Sequence, residues 1–285
     1  MIYDEIVGTL TSLIVDEVPP AIEDALSGIA IDTEFDMVGA SVGLTAQVSN
    51  IIVDEDGLTV TMAADADGGF VVADIPSNPG SVLFLGAAPT YGVTAEMGLG
   101  MNLDLLNQVL HESWQVGALS IDILNDEIGI EPALLGLIFE GATTLDIEAY
   151  PMLPPVLTST GSTPPLLLDI NELQLDMYGT VGGTYTFLGT VAANINTELE
   201  VSLDSGMLLL TLGTTTAVAD NINPTAVTVS AHETLETTLE VLLPSLLPSV
   251  LEDFALELPE IAGITMTLNS VDVAGEWIVI EGEID

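Results

Sequence analysis

The chain of 285 residues contains no lysine, no arginine and no cysteine, and each absence excludes a class of partner or of bond. Average composition would give roughly 30 basic residues in a chain of this length. Without them the chain has no basic surface with which to displace counterions from a nucleic acid or to dock onto anionic lipid. Without cysteine it forms no disulfide bond. We therefore expect no nucleic-acid partner.

Acidic residues, by contrast, are abundant, and they give the chain a formal net charge of −44 at pH 7. No carboxylate can form a salt bridge with lysine or arginine, so each needs water, a backbone N–H, a metal ion or a proton. The chain also offers no cleavage site to trypsin-like proteases, which favours an extracellular, cell-surface or periplasmic protein. Halophilic adaptation is a competing explanation for the charge.

Long apolar runs are also missing, although the chain is apolar enough to fold. Hydrophobic residues make up 48% of it and the mean hydropathy is +0.57, which excludes a disordered chain. No apolar run approaches the ~18 residues of a transmembrane helix, so we predict no transmembrane segment. The first ten residues, "MIYDEIVGTL", lack the basic start of a signal peptide.

Hydrophobic periodicity predicts an α+β fold with a largely antiparallel sheet. Apolar residues spaced by three and four positions indicate helices, and strict alternation indicates strands. The predicted order is a helix at 2–27, strands at 30–90, a helix at 102–116, strands at 118–230, a helix at 231–254 and a closing hairpin, "ITMTLNSVDVAGEWIVIEGEI".

The predicted helix in "MNLDLLNQVLHESWQVGAL" is amphipathic. Asn102 or Asp104 can cap its start, and Gly117 ends it. Its polar residues, including His111, are predicted to face away from an apolar stripe. The stripe consists of Leu105, Leu106, Val109, Leu110 and Trp114.

The predicted helix at 231–254 has a wider apolar face. Pro244 and Pro248 lie four residues apart, therefore on one side of the helix, and should bend it. The apolar face includes Leu239, Leu243, Leu246, Leu247 and Leu251.

Three longer stretches carry a resemblance to a known family. They are "MGLGMNLDLLNQVLHESWQVGALSIDI", "LDIEAYPMLPPVLTSTGSTPPLLLDINELQLDMYG" and "LETTLEVLLPSLLPSVLEDFALELPEIAGITMTLNSVDV". The first has a characteristic spacing of asparagine, aromatic residue and glycine, the second has proline pairs before a strand, and the third has proline and glycine before the last hairpin. In these features the chain resembles the tubular lipid-binding (TULIP) superfamily, mainly the C-terminal domain of proteins like bactericidal/permeability-increasing protein.

This resemblance implies a strongly curved antiparallel sheet wrapped around long amphipathic helices. Residues 91–285 would form a complete C-terminal domain, and residues 1–90 would be the helix and strands that end a preceding half. The apolar stripe and the five leucines of the later helix would then line a groove that holds acyl chains. The alternative is that these side chains fill an ordinary core.

The chain departs from the family at two features. Bactericidal members bind anionic lipopolysaccharide through a cationic tip, and this chain has no lysine or arginine to form one. The disulfide of the family is also absent, because there is no cysteine. The resemblance therefore implies a neutral or apolar ligand, such as a lipid or another hydrophobic small molecule.

Two acidic turns, "DEDG" and "DADGG", are the best candidates for metal binding. Calcium binds several oxygen ligands, and turns of this kind present them. Neither segment completes the twelve-residue loop of an EF-hand, and solvated turns are the alternative interpretation. The candidate ligands of calcium, the only cofactor that the residues suggest, are Asp54, Asp56, Asp65 and Asp67.

Catalysis finds little support in the sequence, and we predict that the protein is not an enzyme. The motif "GASVG" around Ser41 matches a nucleophile elbow, but an alternating strand pattern follows it where that elbow requires a helix. The two histidines, His111 and His232, have no partner at the spacing of a zinc site or catalytic dyad.

Two functions agree with these features. The first is extracytoplasmic binding or transfer of a lipid or other hydrophobic ligand in an apolar groove. The second is a structural role as a cell-surface or filament subunit built on the same scaffold, a homo-oligomer assembled through calcium. Assembly that depends on calcium and reverses with a chelator would favour the second function.

Overall fold

The structure is a computed structural model, and it describes residues 30–37, 40–54, 57–72, 75, 80–84, 86, 88–89, 96–128, 131–204, 207–224, 232–251, 255–257 and 266–284. Its strands are β1 Ala30–Met37, β2 Ala40–Asp54, β3 Gly57–Asp67, β4 Met97–Asn102, β5 Ile121–Ile123, β6 Asp146–Pro151, β7 Val156–Ser159, β8 Leu166–Val181, β9 Thr184–Asp204, β10 Met207–Pro224, β11 Ala255–Glu257, β12 Met266–Ala274 and β13 Trp277–Ile284. Its helices are α1 Leu103–Gln115, α2 Asn125–Ile128, α3 Pro132–Ile138 and α4 His232–Leu251.

The largest sheet is antiparallel and strongly curled. Its strand order is β11-β10-β9-β8-β6-β5, and β7 pairs with β8 as well. The three central strands β8, β9 and β10 are long, with 16, 21 and 18 residues, and their ladders are interrupted by irregularities in register. Such bulges increase the local twist of a sheet. The predicted curved antiparallel sheet is therefore confirmed.

Alternation along β8 shows how the sequence builds the core on one face of this sheet. Leu166, Leu168 and Ile170 are buried, and after an irregularity in register Leu173 and Leu175 are buried in turn. The residues between them are less buried, as expected for a strand whose successive side chains point to opposite faces.

Two smaller sheets complete the β structure. One has the order β1-β2-β3, and the other has the order β12-β13-β4. The predicted closing hairpin is confirmed as β12 and β13, with Gly275 at a φ of +61° in the turn between them. Strand β4, which directly precedes α1, pairs with β13, so this hairpin lies beside the start of α1.

The helices correct the sequence prediction in one region. The interval 118–230 was predicted to be strands throughout, but α2 and α3 lie within it. Pro132 begins α3, a position that proline favours because its missing N–H has no partner there. Both helices have seven residues or fewer, so they are too short to show helical periodicity in the sequence.

The predicted strands at 30–90 are confirmed as β1, β2 and β3 up to Asp67, but the described residues from 68 to 89 belong to no strand. Three further predictions are not tested by the structure. The predicted helix at 2–27 lies outside the described residues. In the described ranges α1 has 13 residues and α4 has 20, and the wrapping of the sheet around long amphipathic helices stays a prediction. The division between residues 1–90 and 91–285 also stays a prediction. Among the described residues no helix has both the length and the apolar character needed to cross a membrane.

Candidate functional site

Helix α1 begins and ends where the sequence predicts. The Asn102 side chain accepts a hydrogen bond from the Asp104 N–H at 2.8 Å, which caps the first turn. At the other end Gly117 adopts a φ of +75°, and its N–H donates to the Trp114 carbonyl. The position of the helix in the chain is thus determined by local sequence.

The apolar stripe of α1 is buried and divides between two hydrophobic clusters. Leu106 and Leu110 belong to the main core beneath the large sheet. Val109 packs in a second cluster with Val42 of β2 and Ala66 of β3. Helix α1 therefore bridges the large sheet and the β1–β3 sheet.

Within the stripe, exposure separates one residue from the others. Leu106 is 2% exposed and Trp114 only 1%, whereas Leu105 is half-buried. A side chain that lines an open groove is exposed to that groove, so the most buried members of the stripe pack against protein atoms. Their proposed contact with a ligand stays a prediction.

Polar anchors fix α1 against the end of β6 and against β7. The Asn107 side chain donates to the Leu157 carbonyl at 2.9 Å and accepts from the Leu157 N–H at 2.7 Å. The indole N–H of Trp114 donates to the Pro151 carbonyl at 2.7 Å. Asn107 is 1% exposed, so both of its bonds lie in the protein interior, where hydrogen bonds are costly to lose.

His111 differs from its predicted position. It is buried, not on the outer face of α1, and its ring lies 5.8 Å from that of Trp114. Its Nδ1 lies 2.9 Å from the Gln115 amide nitrogen and 3.2 Å from a carboxylate oxygen of Glu112. Nδ1 satisfies one of these contacts at a time, according to the tautomer, and Nε2 lies 3.5 Å from the same Gln115 nitrogen. Helical spacing alone places this ring on the polar side. The side chain of His232 lies outside the described residues.

Two of the four predicted calcium ligands can be located. Asp65 accepts a hydrogen bond from the Gln108 side chain at 2.6 Å, and Asp67 accepts one from the Gly69 N–H at 2.7 Å. The Asp54 side chain and Asp56 lie outside the described residues. No group of three or more acidic or histidine side chains that could hold a metal occurs among the side chains the structure describes. Calcium binding stays a prediction.

Ser41 has no nucleophile-elbow geometry. It lies near the start of the 15-residue strand β2, which continues for thirteen residues beyond it to Asp54. Its side chain is exposed, and its hydroxyl is 3.5 Å from a carboxylate oxygen of Glu34 on the neighbouring strand. The strand–turn–helix geometry that an elbow requires is absent at this described position.

Helix α4 packs on β9 and β10 through part of its predicted apolar face. Leu239 and Leu243, together with Leu235, are buried in the main core. The side chains of Leu246, Leu247 and Leu251 lie outside the described residues. On the polar side, a Glu240 carboxylate oxygen accepts from the Ala219 N–H of β10 at 3.3 Å.

At one end of the curled sheet the apolar inner face continues beyond the fully buried core. Along β9, Ile195 and Leu199 are buried, but the following residues on the same face, Val201 and Leu203, are half-buried. On β10, Leu210 lies directly opposite Val201 and is also half-buried. Sequence alternation predicts these positions as inward-facing but does not show that the core leaves them partly uncovered.

Half-buried residues of α4 and β12 complete this region, which we call the apolar rim. Strand β12 contacts β9, and α4 contacts β9 and β10, so both elements pack on the strands that carry these residues. All members pack against the main core. The apolar rim consists of Val201, Leu203, Leu210, Leu212, Leu242, Leu268, Val271 and Val273.

Comparison with known proteins finds matches among solved structures alone. No protein-family model matches the chain, and no curated protein matches it. Among the solved structures that match is one titled "Crystal structure of lipopolysaccharide binding protein", with 12% identity and a TM-score of 0.43. The match covers 96% of this chain and 59% of that chain, so this chain spans about three fifths of the length of that protein.

Proposed function

We propose that this protein binds a lipid or another hydrophobic molecule at the apolar rim, outside the cytoplasm and without catalysing a reaction. The observation that supports it is the continuation of the apolar inner face past the point where the core covers it. Eight apolar side chains on four elements, β9, β10, α4 and β12, are half-buried, and a hydrophobic ligand would complete their burial.

The chemistry of the rim favours a ligand held by its apolar part. Removing apolar surface from water stabilises a complex by about 25 cal/mol per Å². The chain has no lysine or arginine to bind a phosphate, so selectivity would depend on the shape of the groove. A neutral lipid fits this chemistry better than an anionic one. The lack of cleavage sites for trypsin-like proteases supports the extracytoplasmic location.

A structural subunit is the second candidate, because another copy of the chain could cover the same rim. Within the described residues, strands β1 and β12 each pair with a single strand, as the edge strands of a sheet do. Edge strands of this kind pair readily with other chains. Calcium would then offset the repulsion between two acidic copies.

Native mass spectrometry of protein purified from its source, followed by organic extraction, distinguishes the two functions. A stoichiometric molecule of defined mass, recovered in the organic phase, is the result expected for a carrier. Oligomers without an extractable ligand that dissociate with a calcium chelator would overturn the carrier function and favour the subunit.

A pair of matched variants tests the location of the ligand. Val271→Asp places a charge in the apolar rim, and we expect it to abolish retention of the extracted molecule. Val218→Asp makes the same change at an exposed strand position outside the rim and should retain it. Equal retention by both folded variants would place the ligand elsewhere.

A further inference from the structure

The outer face of the large sheet carries an aromatic and acidic surface that the hydrophobic site does not use. Neighbouring positions in the register of β6, β8 and β9 bring its side chains together: Glu148 lies opposite Asp176, and Tyr178 lies opposite Phe187. We call this surface the tyrosine face. It consists of Glu148, Tyr150, Asp176, Tyr178, Tyr185 and Phe187.

The aromatic rings form an ordered stack. The rings of Tyr178 and Tyr185 are nearly parallel, with 6.0 Å between centroids and an interplanar angle of 9°. Phe187 meets Tyr178 edge-on at 5.4 Å. Tyr185 is 59% exposed, so the stack presents an open ring face to solvent. Exposed aromatic faces attract cations.

The carboxylates of the face have only neutral partners. Asp176 accepts hydrogen bonds from the hydroxyls of Tyr150 and Thr190, both at 2.6 Å. The carboxylates of Glu148 and Asp146 lie close enough to the hydroxyls of Tyr178 and Tyr185 to raise their pKa values. Like charges directly opposite on neighbouring strands, as at Glu148 and Asp176, are destabilising. The chain cannot relieve this repulsion itself, because it has no lysine or arginine.

We propose that the tyrosine face binds an arginine-bearing basic segment of a partner protein. A guanidinium group can stack on the open ring of Tyr185 while its N–H groups approach the carboxylates of Asp146 and Glu148, which both act on the Tyr185 hydroxyl. Arginine suits this combination better than lysine, because its planar group stacks on rings and donates several hydrogen bonds. Charge complementarity supports this occupant, since a chain of net charge −44 attracts basic segments over a long range.

Binding of a hexa-arginine peptide to the full chain at 0.15 M NaCl, measured by calorimetry, tests the proposal. A hexa-citrulline peptide, which has the same length but no charge, should not bind, and hexa-lysine should bind more weakly. Tyr185→Ala should weaken binding of hexa-arginine by about three- to tenfold, whereas Tyr185→Phe keeps the ring and should retain most of it. Phe70→Ala removes an exposed aromatic side chain elsewhere and should change nothing.

A charge-matched pair separates this face from diffuse attraction by the acidic surface. Glu148→Gln should weaken binding of hexa-arginine, and Glu34→Gln, which removes one exposed carboxylate on β1, should not. Equal effects of the two variants would overturn the proposal, as would equal binding of hexa-citrulline or no binding of hexa-arginine. Because Tyr185 and Glu148 are exposed, both variants should fold, and circular dichroism checks this.

Discussion

Individual carboxylates in this chain find hydrogen-bond donors that carry no charge. Asp104 accepts from the Phe84 N–H, Asp65 from a glutamine amide, and Asp176 from hydroxyl groups. Backbone, amide and phenol donors thus replace the lysine and arginine partners of other proteins. Among these neutral donors the tyrosines can be followed by titration, because their hydroxyls donate to carboxylates and can themselves ionise.

The hydroxyls of three tyrosines have raised pKa values. Burial raises the pKa of Tyr150 well above its usual range, and its hydrogen bond to Asp176 adds to the effect. Partial loss of hydration likewise raises the pKa of Tyr178, together with the charge of Glu148, and that of the largely exposed Tyr185, together with the nearby carboxylate of Asp146. In each case the neutral phenol is favoured in the folded protein.

These shifts predict how stability depends on alkaline pH. A raised folded pKa stabilises the protein fully below the unfolded value of about 10, and this contribution is lost as pH rises above about 10, because the unfolded tyrosines release protons first. No lysine, arginine or cysteine titrates in the same range. The free energy of unfolding in urea, measured from pH 8 to 12, should therefore stay level up to about pH 10 and decrease above it, and Tyr150→Phe should make that decrease less steep.

Absorbance at 295 nm provides the independent check on the tyrosines. Tyr150, Tyr178 and Tyr185 are each replaced by Phe, and the absorbance of each variant is subtracted from that of the original protein. The difference is the phenolate absorbance of the replaced tyrosine, and in the folded protein it should develop above about pH 10. If this difference in absorbance has the midpoint of an unperturbed tyrosine, about pH 10, for all three variants, the contacts of these hydroxyls with the carboxylates do not persist in solution.

Asn107 is a buried polar side chain that holds α1 in place through two hydrogen bonds to Leu157. Asn107→Ala leaves the N–H and carbonyl of Leu157 without their partner inside the protein, at about 1–3 kcal/mol for each buried group. We expect a large decrease in the free energy of unfolding, measured in urea. Gln108→Ala, the neighbouring change at an exposed hydrogen bond, should alter it by only about 0.5 kcal/mol. Equal effects would contradict the anchoring role.

At the scale of elements, the contacts of α1 show how one amphipathic helix serves two sheets. Leu106 and Leu110 pack beneath the large sheet, while Val109 packs against β2 and β3. A stripe at helical spacing predicts burial but not the number of surfaces that share it. The helix therefore joins the first sheet to the main core through side chains on one face.

Substitutions in the stripe distinguish core packing from ligand contact. Leu110→Ala removes a buried side chain of the main core and should lower the free energy of unfolding by about 2–5 kcal/mol. Leu105→Ala changes a half-buried side chain and should cost less. Unfolding in urea, with organic extraction of each purified variant, measures both effects. If Leu110→Ala lost the bound molecule but kept its stability, the stripe would line the ligand groove.

The elements also show which features the sequence could predict. The alternation of apolar and polar residues predicts β8, β9 and β10, and the capping residue Asn102 with the helix-ending Gly117 predicts α1. Both signals are local, because residue periodicity and helix caps depend on nearby residues. Pairing of β4 with β13 joins segments about 180 residues apart, and no local pattern reveals such a contact. The apolar rim could not be predicted for the same reason. Alternation predicts which residues face inward, but not which of them other elements bury completely.

At the scale of the whole molecule, net charge is the feature that most constrains stability. With −44 charges and no lysine or arginine, every long-range interaction among the charged side chains is repulsive, apart from those of the histidines when protonated. Such repulsion destabilises a compact state while it keeps the chain soluble. Salt screens it, since the Debye length falls from about 30 Å at 0.01 M to about 8 Å at 0.15 M.

Thermal unfolding in rising salt therefore tests the charge and calcium together. From 0.01 to 0.5 M NaCl we expect the melting temperature to rise by about 5 °C, the shift that roughly 2 kcal/mol gives in a chain of this size. Calcium and magnesium at matched ionic strength should act alike if they only screen charge. A larger effect of calcium, lost in Asp65→Asn and Asp67→Asn, would establish a specific site at that turn. A melting temperature that does not change with salt would show that carboxylate repulsion contributes little.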